Sequence, residues 1–170
     1  MNKEYLEIER LAAESGLAAT IAALQFKFWG PLTGCNSMEE YERFLCDAAR
    51  SGPLPAVLVA RRGSRFLGSV NLLISEMTIR PALSPWMAQL FVADEARSRG
   101  VGNALVGAAV AHAAGLGFRR IHLYTSGTLT SYYAMLGWKQ MEEVEYLGKV
   151  RTVMAFDLCA DELSREQIVD

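Results

Sequence analysis

The stretch from Trp86 to Thr125 limits the fold more than any other part of the chain. A β-rich run at 86–92 gives way to Arg97-Ser98-Arg99-Gly100-Val101-Gly102, then to an apolar helical stretch at 101–116, then to a second strand-like run at 120–125. Strand, loop, helix and strand in that order make a crossover unit, whose strands lie parallel in one sheet. The runs ahead of it differ. Residues 56–61 and 66–74 are separated only by the tight turn Arg62-Gly63-Ser64, which predicts an antiparallel hairpin. A fully parallel sheet would need helices between these early strands, so the chain is predicted to form a mixed one.

The loop carries chemistry as well as topology. Free backbone N–H groups at a helix start point outward, the helix dipole adds partial positive charge, and glycine lets an anion approach the main chain. The segment is therefore read as the grip on a phosphorylated cofactor. Nothing between Ala96 and Met141 is acidic, while Arg97, Arg99, Arg119, Arg120 and Lys139 all lie in that stretch. A nucleotide-hydrolysing P-loop needs Gly-Lys-Ser/Thr, but Asn103-Ala104 follows Gly102. A dinucleotide fingerprint needs a third glycine where Leu105 stands, and an acid about twenty residues on. Both alternatives fail.

The remaining elements follow from periodicity and caps. Residues 5–13 fit either a first strand or a short helix. Residues 17–29 read as a helix with Leu17, Ile21, Leu24 and Phe28 on one face, broken by Gly30-Pro31-Leu32-Thr33-Gly34. Ser37 with Glu40 makes a capping box for a second helix carrying Tyr41, Phe44 and Leu45, which Pro53 and Pro55 end. After 120–125 come a short helix at 128–136 with Gly137 as its C-cap, and two last strands at 138–146 and 150–158 turning at Gly148. The expectation is one α/β (α+β type) domain over residues 1–170, with a twisted sheet of six or seven strands and about four helices.

With 51% hydrophobic and 21% charged residues, disorder is excluded, and a net charge of −2 gives a nucleic-acid surface no support. Cys35, Cys46 and Cys159 form no C-x-x-C pair and read as reduced thiols, with no disulfide frame and no metal site. The N-terminus, Met1-Asn2-Lys3-Glu4-Tyr5-Leu6-Glu7, carries acids where a secretory leader carries an apolar run. The long apolar helix is interrupted by Asn103, His112 and glycines, which favours a soluble core over a membrane span. The expected location is the cytoplasm.

The R-x-x-G-V-G pattern after a strand ending L-x-V resembles the GNAT superfamily, the acyl-CoA-dependent N-acyltransferases. Tyr133-Ala134-Met135-Leu136-Gly137-Trp138 is similar to that family's Tyr-x-x-Leu-Gly-aromatic signature, and the resemblance covers roughly residues 56–158. It implies acetyl-CoA as cosubstrate, no metal, and a GNAT-like sheet. It places the pyrophosphate on Arg97, Arg99, Gly100, Val101, Gly102 and Asn103, and pantetheine along the splayed edge offered by Leu90, Phe91 and Val92. Many relatives carry Asn seven residues before the tyrosine, where this chain has Ser126. Relatives are commonly dimers.

Acetyl transfer to an amine makes three demands. A lysine-like amine is only about 0.04% neutral at pH 7 and must lose a proton. The oxyanion needs a preorganised donor, such as the main-chain N–H of Leu90 or Val92. The leaving thiolate needs a proton, for which a phenol with pKa near 10 is reasonably matched; the resemblance gives that role to Tyr133. Glu76 reads as a solvated loop acid or as the candidate base, acting directly or through a water. His112 and His122 read as packed residues, and Glu142, Glu143 and Glu145 as a solvated face or an attraction for a cationic amine. Arg119-Arg120 reads as surface charge or a contact for the 3′-phosphate. The acceptor is expected to be a small-molecule amine: an amino acid, polyamine or aminoglycoside-like compound. A protein or peptide acceptor and a non-catalytic acyl-CoA sensor are the alternatives.

Overall fold

The computed structural model describes residues 5–158, so Met1 to Glu4 and Cys159 lie outside the described residues. Among the described residues, seven strands and four α-helices form a mixed α/β fold. The chain divides into two compact units, Met1–Ile74 with Met87–Ala109, and Ser75–Trp86 with Val110–Asp170.

In the first unit, β1 (Leu6–Arg10), β2 (Ala56–Arg62), β3 (Arg65–Leu73) and most of β4 (Trp86–Val92) lie side by side in that order. The ambiguity at 5–13 is settled by a partner: β1 pairs antiparallel with β2 from Leu6↔Arg62 to Arg10↔Leu58, and a 3-10 turn follows at Ala13–Ser15. The β2–β3 hairpin forms as expected around Gly63-Ser64, with Gly63 at φ +58°.

Helix α1 (Leu17–Trp29) has the predicted bounds but turns a different face inward. Ala18, Ile21, Ala22 and Gln25 are buried, while Leu24 and Phe28 are 38% and 52% exposed. The amide of Gln25 explains this. Its Nε2 donates to Ser69 Oγ at 2.6 Å and its Oε1 accepts from the Tyr41 hydroxyl at 3.0 Å, so a polar side chain takes a core position with its bonds satisfied. Helix α2 (Met38–Arg50) starts where the sequence places it. Ser37 Oγ accepts from the Glu40 N–H at 3.1 Å, and the Glu40 carboxylate reaches back to the Asn36 N–H at 2.7 Å.

Helix α3 (Val101–Gly115) buries Val101, Leu105, Val106, Ala109 and Ala113 along one stripe, with His112 half-buried beside it. In the second unit β5 (Arg120–Thr125), β7 (Lys149–Asp157) and β6 (Lys139–Tyr146) are adjacent in that order and antiparallel. Trp86 at the head of β4 pairs parallel with His122, the sense that the crossover predicted. Helix α4 spans Thr130–Met135, shorter than expected, and Gly137 at φ +96° follows it while the Trp138 N–H closes onto Tyr133 O at 3.1 Å.

Register separates the faces of this second sheet. His122, Tyr124, Val153, Arg151, Val144 and Tyr146 share one face, because opposed residues in an antiparallel pair point the same way. Ile121, Leu123, Thr125, Met154 and Phe156 share the other.

Candidate active site

The first unit holds the anion loop. Ser98 and Gly100 both adopt left-handed backbone, at φ +58° and +82°. Left-handed residues interrupting the chain in this way turn successive N–H groups into a concavity suited to an oxyanion. A Cβ on Gly100 would meet nothing within 4 Å, so backbone conformation rather than crowding calls for glycine there. The first helical bond runs from the Ala104 N–H to Gly100 O at 3.0 Å, so Val101 and Gly102 donate no bond within α3 and their N–H groups face its N-terminus. The loop thus fits a diphosphate.

Its charges are exchangeable. Arg97 donates from Nε to Val92 O at 3.3 Å and pairs with Asp94 at 3.0 Å, both side chains well exposed, so the pair is weak and easily given up. Asp94 and Glu95 lie in a 3-10 turn, with Glu95 paired to Arg65 at 3.2 Å. Arg99 is exposed, as is Asn103, while Val101 is buried. Arg97 and Phe91 line one cavity of about 350 Å³ that includes Leu24, Phe28 and Phe66. Arg99 and Val101 line a second, of about 120 Å³, with Arg62 and Arg65.

Strand β4 is distorted where pantetheine was expected. Gln89 sits at φ +48°, which interrupts the pleat just before Leu90, Phe91 and Val92. Its Oε1 accepts from Asn71 Nδ2 at 3.0 Å, and among the described residues the buried Asn71 Oδ1 has no partner. Phe91 stacks on Phe66 with ring centres 6.3 Å apart and meets the edge of Trp29 at 6.4 Å; Leu90 and Val92 are half-buried. A Cβ on Gly68 would stand 2.4 Å from Phe91 O, so only glycine permits this close approach of β3 and β4.

In the second unit Tyr133, not Tyr132, is the buried member of the pair. Its ring packs edge-on against Tyr132 at 5.1 Å and Trp138 at 6.1 Å, and Trp138 packs on Phe156. Burial, with the charge of Tyr132 second, pushes the Tyr133 phenol up to about 12, two units above the reference value used in the sequence argument. It stays protonated at any ordinary pH, and it is a weaker acid than a free phenol. Ser126 is exposed in the connection between β5 and α4.

Glu76 is half-buried on the segment before β4. Its carboxylate faces the Tyr124 hydroxyl. Burial first, and the Glu76 charge second, push that phenol up to about 12. Tyr124 meets Tyr146 edge-on at 5.7 Å and Trp86 at 6.3 Å, and the Arg151 guanidinium lies over its ring at 5.6 Å. Tyr124 shares its face with Arg151, whereas Tyr133 is linked through Trp138 to Phe156 on the opposite face.

Three other residues have partners. His122 is buried, its Nδ1 3.1 Å from Pro85 O, and burial lowers its pKa, so it is a neutral packed residue. Glu142 accepts from Arg80 at 2.6 and 3.0 Å and is no open attractor for a cation. Arg120 is paired with Asp157 at 2.7 Å. Tyr124, Tyr146, Arg151, Gln89 and Asn71 are not legible in the sequence, because each takes its meaning from a contact distant in the chain; the Arg61-Arg62-Gly63-Ser64-Arg65 turn is a local sign of further positive charge beside the loop.

The model of the GNAT acetyltransferase family matches residues 21–138. The chain belongs to that family and is an acetyl-CoA-dependent acetyltransferase. Comparison with curated proteins finds no match by sequence. Solved structures with a similar fold include a GNAT-family acetyltransferase from Streptococcus pneumoniae, 18% identical at TM-score 0.67, covering 91% of this chain and 99% of that one. The yncA protein of Salmonella typhimurium, solved with its cofactor acetyl-CoA, is 11% identical at TM-score 0.68, covering 92% and 96%. The spermidine/spermine N-acetyltransferase SpeG from Vibrio cholerae, in mutant form, is 17% identical at TM-score 0.68, covering 96% and 100%. At such identities the likeness is one of fold.

Proposed function

We propose that residues 1–170 act as one cytoplasmic acetyltransferase domain that moves acetyl from acetyl-CoA to a primary amine of a small molecule. The observation that carries this reading is the loop at 97–102, with left-handed Ser98 and Gly100 ahead of the α3 N-terminus. Its amides, with Arg97, Arg99 and Asn103, hold the diphosphate. Leu90, Phe91 and Val92 present the pantetheine edge. When bound, acetyl-CoA supplies the activated thioester. Ser126 stands where relatives use an amide side chain and contributes a hydroxyl.

Glu76 takes a proton from the ammonium, directly or through a water, and so frees the nitrogen lone pair. The N–C bond then forms as the C–S bond breaks, the nitrogen sheds its second proton to solvent, and solvent returns a proton to Tyr133 once the sulfur has taken its own. A main-chain N–H of Leu90 or Val92 donates to the carbonyl oxygen while it carries charge. Tyr133 holds the proton that the departing sulfur takes. Glu76 and Tyr133 divide the two proton transfers. Attack in a ternary complex fits the absence of any Ser or Cys paired with a base among the described residues.

The test is thiol release from acetyl-CoA with a panel of amino acids, polyamines, aminoglycosides and N-terminal peptides. Turnover of at least one small amine with equimolar N-acetyl product is expected. Turnover of peptides alone would move the acceptor class, and tight acetyl-CoA binding with no turnover would leave a sensor.

A further inference from the structure

In the second unit a half-buried arginine, Arg151, and a half-buried carboxylate, Glu76, both border the ring of Tyr124. Arg151 is half-buried, spends Nε on Tyr146 O at 3.3 Å, and makes no ion pair among the described residues. The other bound arginines of this unit differ, since Arg80 has Glu142 and Arg120 has Asp157. A guanidinium withdrawn from water without a counter-ion is unfavourable unless a ligand completes it. One ring away, Glu76 faces the hydroxyl of the same Tyr124 whose π face Arg151 covers at 5.6 Å. Tyr146 walls this space, its ring 5.7 Å from Tyr124 and its hydroxyl accepting from the Thr78 N–H at 3.3 Å.

We propose that Arg151 binds a carboxylate on the acceptor, whose ammonium lies toward Glu76, so that the substrate is an α-amino acid or a comparably short aminocarboxylate. The proposal rests on the reading of Glu76 as the group that deprotonates the amine. The carboxylate of such a zwitterion gives Arg151 the counter-ion it lacks among the described residues, and its ammonium is attracted by the Glu76 carboxylate. A polyamine or aminoglycoside would bring a second cation to an arginine and be repelled. Guanidinium and carboxylate match as a two-pronged pair, which also fixes where the amine points.

The test compares matched acceptors at saturating acetyl-CoA, with kcat/KM expressed per neutral amine: alanine with ethylamine, leucine with 3-methylbutylamine, and lysine with pentane-1,5-diamine. Wild type is expected to prefer the amino acid by about 10- to 100-fold, the range for a hydrogen bond to a charged group. In Arg151→Gln the ratio should fall to within about threefold of unity, and Arg151→Lys should restore part of it. A ratio read within one protein is insensitive to partial unfolding. Equal use of both members by wild type, or an undiminished preference in Arg151→Gln, overturns the assignment while leaving acetyl transfer intact. No acetylation of any amine overturns the underlying reading instead.

Discussion

Replacing Tyr133 by Phe removes one oxygen and little else. The ring keeps its contacts with Tyr132 and Trp138, and among the described residues the hydroxyl has no hydrogen-bond partner to lose. Stability should therefore change by less than about 1 kcal/mol. Catalysis should change far more. A positioned general acid contributes about 10²- to 10⁴-fold, equivalent to about 3–5 kcal/mol of barrier. Because burial pushes this phenol up to about 12, it gives its proton less readily than a free phenol, and the expected loss in kcat is about 10²- to 10³-fold. The KM for acetyl-CoA should stay within about threefold, since the diphosphate is held elsewhere. Steady-state thiol release against acetyl-CoA concentration, with circular dichroism on the same sample, measures both. An unchanged kcat, or a loss carried wholly by KM, would refute the proton-donor argument.

Three further outcomes are expected. Gly100→Asp forces a side chain into φ +82° and sets a negative charge at the anion loop, so calorimetric affinity for acetyl-CoA should fall at least about tenfold. Gly68→Ala would place a Cβ 2.4 Å from Phe91 O, and a lower urea midpoint worth about 1–3 kcal/mol is expected. The Tyr133 phenol, pushed up to about 12, keeps its proton where the unfolded chain has already lost it near 10. Its contribution is full below pH 10 and disappears as pH rises through 12, about 1.4 kcal/mol per unit, so wild type should lose stability over that window more steeply than Tyr133→Phe.

Local chemistry was legible in the sequence, and long-range pairing was not. The α2 start could be placed because Ser37 and Glu40 act on their own neighbours, and the hairpin because Gly63-Ser64 leaves one way to turn. The α1 bounds were equally plain, yet its inward face was misjudged. Hydrophobicity favoured Leu24 and Phe28, whereas Ser69 and Tyr41 draw Gln25 inside, with Ala18, Ile21 and Ala22 buried beside it. Strand β1 was ambiguous alone because five residues acquire strand geometry from β2. At the candidate site, the loop announces itself by its place between strand and helix, and Tyr133 by its resemblance to the family signature. Arg151 does not: its meaning lies in what is missing around it, and a sequence cannot display a missing counter-ion.

The segment bearing Glu76 is fastened twice to β6, by the two-pronged Arg80–Glu142 contact and by Thr78 against Tyr146. A strap clipped at both points has its conformational freedom removed during folding rather than at each encounter with an incoming molecule. Loosening the clip would then show first as slower, less selective capture, long before the proton-handling groups themselves were altered.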